Sequence, residues 1–240
     1  MTDHAEVGRM TDHATFVRRP AIQSAGVAVA AGVLAIALVA DTPVQRRALA
    51  ITLVGVVAFL GGGRLWHRGQ RLGGVLLVAT GTLGLLLALQ LAALGPAQYI
   101  HRFELVPGVL GLWLLAAGVV PIRAGWERPL IDAGAGLLFV AVLISGVVRG
   151  ASVAALVAAG ALTVLAWDAA ENGVSVGDQL GIRAPTRTGE LVHVGGTAAV
   201  GCLAVVATLT VARLGIDGLS FAALAALLVA GIVLTLVYHR

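Results

Sequence analysis

Long apolar runs separated by short polar breaks constrain this chain more than any other feature. Several approach 20 residues, the length a helix rising 1.5 Å per residue needs to cross a hydrocarbon core of roughly 30 Å. Only 12% of the 240 residues are charged, about half the share that keeps a globular domain in water. The runs are unbroken rather than alternating, so they read as helices and not strands. Helices also keep their backbone groups paired in lipid. The expected fold class is all-α, a polytopic bundle of about eight transmembrane helices in one domain (21–240), after a polar tail over 1–20.

The eight segments fall at about 22–40, 48–63, 72–95, 105–122, 129–148, 151–167, 191–212 and 219–238. The second is short and could extend back toward Val44; Gly61-Gly-Gly63 closes it. Pro107 falls in the first turn of the fourth, where its missing N–H costs little. Only Arg149 and Gly150 part the fifth from the sixth, a tight antiparallel hairpin. Arg19-Pro-Ala-Ile-Gln23 and Arg128-Pro-Leu-Ile-Asp132 open the first and fifth segments. That echo suggests two parallel four-helix halves, as some transporters have.

All 16 basic residues are arginine. With eight spans, eleven lie on the side of both termini and five on the other. That bias places the termini and the long loop 168–190 in the cytoplasm of a multi-pass cell-membrane protein. Trp66, Trp126 and Trp167 then mark the cytoplasmic interface, with Trp113 mid-helix. The net charge is +4, but no basic patch with interleaved aromatics points to nucleic acid. The first twenty residues are too polar for a secretory signal, and Met1-Thr-Asp-His-Ala recurs at Met10, which could be the true start. The single cysteine, Cys202, reads as a small buried packing residue.

The longest polar break runs from Trp167 to His193 and carries Asp168, Glu171, Asp178 and Glu190. Asp168 and Glu171 share the last turn of helix six. Asn172-Gly173 then offers a left-handed stop. Ser175 and Asp178 resemble a capping box that starts a short helix reaching Arg183. Arg187 and Glu190, and Glu190 and His193, are spaced three apart into helix seven. In one reading Asp168, Glu171, Glu190 and His193 converge as metal ligands, yet a di-metal bundle needs two E-x-x-H motifs and this chain has one. In the other the acids pair with Arg183 and Arg187 to pin a re-entrant or surface loop, and this reading is preferred. Neither a metal nor an organic cofactor is expected. Elsewhere, Asp132 reads as a helix-start acid and Gln90 as an interhelix hydrogen-bonding group. Arg64, His67, Arg68 and Arg71 form a basic loop that could meet anionic headgroups.

Trp167-Asp-x-x-Glu171-Asn-x-Val-Ser-x-Gly-x-Gln179-Leu-Gly, followed by Thr186-Arg-x-x-Glu190-Leu-Val-His193, resembles an uncharacterised family of haloarchaeal integral membrane proteins, a domain of unknown function. The resemblance implies no activity. It does imply an accessory subunit of an envelope assembly, with a MoxR-type ATPase or a von Willebrand A-like protein as partner. The expected function is a non-enzymatic scaffold that docks partners through loop 168–190, with the bilayer and a homo-oligomer as further associations. The alternative is a small-molecule transporter.

Overall fold

The computed structural model describes residues 21–96, 100–120, 125–180 and 187–213. These form seven helices and no strand: α1 (Ile22–Val39), α2 (Pro43–His67), α3 (Arg71–Leu94), α4 (Ile100–Val119), α5 (Glu127–Arg149), α6 (Val153–Leu180) and α7 (Arg187–Arg213). Six of them, all but α1, are long and apolar enough to cross a membrane, consistent with a multi-pass membrane protein. The eighth expected segment, about 219–238, lies outside the described residues, as do the 1–20 tail and Arg183.

Glycine sets the helix pairing. A β-carbon on Gly62 would come within 2.6 Å of the Val78 amide nitrogen of α3, and one on Gly81 within 2.6 Å of the Gly55 carbonyl oxygen. Backbones of α2 and α3 therefore touch along a seam whose glycines recur every seven residues. The α4–α5 pair repeats the device: a β-carbon on Gly134 would sit 2.6 Å from the Leu115 amide nitrogen. Small residues at such spacing let helices approach where lipid supplies no hydrophobic drive. Gly136, two residues on, meets nothing within 4 Å.

α1 runs through the middle, against α2, α4, α5, α6 and α7, and antiparallel to α6. Its Ala28 and Ala31 join Ala166, Ala169 and Ala170 of α6 and Leu112, Leu115 and Leu138 of the α4–α5 pair in the main core. The α6–α7 contact has no counterpart of the α2–α3 glycine seam, since Gly195 and Gly196 of α7 meet nothing within 4 Å. The outer face of α7 carries Cys202, which is exposed rather than buried as expected, because α7 packs inward mainly near its start.

Four boundaries differ from the sequence reading. α2 begins at Pro43 rather than Ala48, in line with the extension toward Val44 that its shortness suggested, because Thr42 and Gln45 form a reciprocal capping box with Pro at the first helical position. It also runs past Gly61–Gly63 to His67. α4 begins at Ile100, so Pro107 lies inside the helix rather than in its first turn. α6 is 28 residues long and does not stop at Trp167. Asn172-Gly173 is helical, and Ser175 caps nothing. Packing overrides the local stop signal: Gly173 lies against Ser24, and its carbonyl accepts the Ala21 amide at 2.8 Å. The expected loop 168–190 is therefore mostly helix, leaving 181–186 between α6 and α7. Elsewhere the short α5–α6 link is as compact as expected, with Gly150 left-handed at φ 60° and Ser152 capping the Ala155 amide.

Candidate functional site

Antiparallel packing brings the start of α1, the start of α5, the end of α6 and the start of α7 to one end of the bundle. Most of the singled-out polar residues gather there, each turned to a different neighbour. The start of α1 has no side-chain cap of its own. Glu190 of α7 supplies one in trans: the Ser24 amide and the Ser24 hydroxyl both donate to Oε2 of Glu190 at 3.0 Å. Asn172 Nδ2 of α6 donates to the same hydroxyl at 3.3 Å. Glu190 and Ser24 are both buried, and three helices meet at Ser24. A carboxylate at a helix N-terminus satisfies orphan amides and opposes the helix dipole.

Asp168 faces α7. Its Oδ2 accepts the Thr197 hydroxyl at 2.7 Å and lies 2.9 Å from His193 Nε2. Glu171, one turn on, faces α5, where Arg128 reaches it at 3.1 Å and also donates to Ser175 Oγ at 3.2 Å. Asp132 of α5 accepts the Trp167 indole N–H at 2.8 Å. Among the described residues the cation that meets Glu171 is Arg128, because helix spacing on α6 turns the side chain toward α5; the expected pairing with Arg183 and Arg187 lies outside them. Asp178 is exposed near the end of α6, and Arg187 begins α7. Among the described residues no three of His, Cys, Asp and Glu come close enough to hold one metal ion. His193 and Asp168 meet only as a pair, while Glu190 of the same E-x-x-H turns to α1. Gln90 is exposed and makes no hydrogen bond among the described residues.

The opposite end holds a network the sequence reading missed. Arg149, the last residue of α5, donates from Nη1 to Asp41 Oδ2 at 2.7 Å. Its Nη2 donates to the Glu104 carboxylate, to the Val39 carbonyl and, at 2.6 Å, to Ser145 Oγ. Gln45 Nε2 donates to the other Glu104 oxygen at 3.0 Å, while Gln45 Oε1 accepts the Asp41 and Thr42 amides. The capping box of α2 is therefore one wall of a buried ion pair. Glu104 and Arg149 side chains are 4% and 9% exposed. Beside them a space of about 10 Å³, lined by Gln45, Glu104, Ile36 and Ala141, has room for about one water. A signal existed: Glu104 is the only acid between Asp41 and Glu127.

No curated protein and no solved structure matches the chain. One family model does, over residues 79–235, which take in the greater part of α3, all of α4 through α7 and the whole polar stretch from Trp167 to His193. With more than half its length matched, the chain belongs to DUF7519, a family of unknown function.

Proposed function

We propose that the chain is a non-enzymatic accessory or scaffold subunit of a membrane assembly, docking its partner at the end of α6 and the segment leading to α7. One observation carries this reading. Asp168, Glu171 and Glu190 are each engaged by a neighbouring helix, whereas Asp178 and Gln179 are exposed on a helix longer than a bilayer core. At 1.5 Å per residue the 28 residues of α6 extend about 42 Å against roughly 30 Å of hydrocarbon. The surplus is about two turns, available to a water-borne partner.

The arginine bias supports a cytoplasmic position for this end in a cell membrane. Both termini on that side require the eighth span expected at about 219–238. The resemblance to haloarchaeal membrane proteins supports such a source, and a MoxR-type ATPase or von Willebrand A-like envelope protein as the partner. A carrier is less well supported, because the polar groups at both ends are mated to one another and the space beside Glu104 is about one water in size.

A mild-detergent pull-down of the full chain tests the docking. Asp178→Lys should lose a partner that the wild-type chain retains, with insertion and thermal stability unchanged; undiminished recovery of that partner counts against the site. Orientation is tested by Thr186→Cys in a Cys202→Ala background. Labelling of that cysteine from outside intact cells would overturn it.

A further inference from the structure

The turn between α2 and α3 carries a cationic patch that the docking reading leaves unused. α2 ends at His67 and α3 begins at Arg71, so three residues make the turn. Gly69 adopts φ 82°, and a β-carbon there would meet nothing within 4 Å. The turn is therefore open on that side, and its backbone can be approached closely. Arg64, Arg68 and Arg71 are all exposed. None of them makes an ion pair or a side-chain hydrogen bond among the described residues, in contrast to Arg128 and Arg149. No acid occurs between Asp41 and Glu104 to neutralise them locally.

The surface beside these cations is apolar. Leu72 and Leu76 of α3 are 76% and 60% exposed, and Trp66 of α2 is 49% exposed. Arg71 to Leu76 covers about 7.5 Å of helix. Guanidinium groups, an indole and uncovered aliphatic side chains thus lie next to one another at the same end of a hairpin long enough to span a membrane. Phosphate, interface and acyl chain follow the same order in a phospholipid.

We propose that the α2–α3 turn binds the headgroup of an anionic phospholipid, with Arg64, Arg68 and Arg71 on the phosphate and the acyl chains along Leu72 and Leu76. A free phosphate would need the cations alone; the adjoining apolar wall selects the lipid. Orientation by loop charge accounts for the sign of the patch but gives no lipid preference once the chain is inserted.

The test uses the full chain purified in mild detergent, supplied with phosphatidylglycerol or phosphatidylcholine and followed by native mass spectrometry and thermal unfolding. Phosphatidylglycerol should be retained at least about tenfold more than phosphatidylcholine, on the basis of about fivefold per basic residue, and should raise Tm. Arg64→Gln/Arg68→Gln/Arg71→Gln should lose that preference. Arg47→Gln/Arg213→Gln, two exposed arginines elsewhere, should keep it. Equal retention of the two lipids by the wild-type chain overturns the proposal, as does an undiminished preference in the triple variant. Loss of the preference in millimolar inorganic phosphate would assign the patch to free anions instead, and also overturns it. Should the triple variant fail to insert, Arg68→Gln decides: about a fivefold loss of retention supports the site, and no loss rejects it.

Discussion

The two ends of the bundle solve the same problem differently. Where α1, α5, α6 and α7 meet, polar groups are spread along α6 as separate contacts. Asp168 goes to α7, Glu171 to α5, and Asn172 to Ser24 of α1. Arg128, the cation of this set, has a side chain 54% exposed. At the other end one arginine holds everything: Arg149 ties the α1–α2 corner, α4 and its own helix through a buried carboxylate. Apart from the buried Glu190–Ser24 contact, the contacts of α6 at this end are part-exposed, individually weak and tolerant of loss. A single buried ion pair is costly to form and more costly to break by halves. The lesson is that the conspicuous polar stretch is the more forgiving end, and the inconspicuous one the more brittle.

That contrast can be broken by substitution. The largest effect should come from Arg149→Ala, which leaves Glu104 buried without its cation; about 3–5 kcal/mol of stability should be lost. Unfolding in detergent micelles measures it, and Glu104→Gln/Arg149→Met should recover most of the loss. Next comes Glu190→Ala, which uncaps α1 and orphans the Ser24 amide, at about 1.5–3 kcal/mol. A double-mutant cycle with Ser24→Ala should show strong coupling, and independent effects would mean that Glu190 does not act through Ser24. The smallest is Arg128→Ala, where screening limits the loss to about 1 kcal/mol or less. If it destabilised the chain as much as Arg149→Ala, the two ends would not differ as described.

Much of the architecture was legible. Unbroken apolar runs located the seven described helices, and Gly150 placed the α5–α6 turn. The Thr42–Gln45 capping box was also readable, but hydropathy drew attention to Ala48 instead. The polar stretch misled for a definite reason. Asn172-Gly173 and Ser175 carry good local stop and start signals, worth about 1 kcal/mol each. Against them stands the packing of α6 on α1 beyond Asn172, where Val174 is buried in the core and Gly173 meets Ser24. Partners across elements were less legible still. Glu190 and Ser24 are 166 residues apart, and spacing along one helix cannot name a group on another.

The amino-acid sequence by itself determined the helical class and the approximate positions of helices long and apolar enough to cross a membrane, because hydrocarbon thickness and backbone pairing leave few alternatives to a chain this apolar. Membership of a family without a known activity is written in it too. Only the tertiary structure decided which helices touch and which charges meet. Those choices rest on glycine seams, on an alanine face shared by α1 and α6, and on carboxylates buried between helices. Such contacts draw their energy from surfaces distant in sequence, so they exist only once the helices have packed.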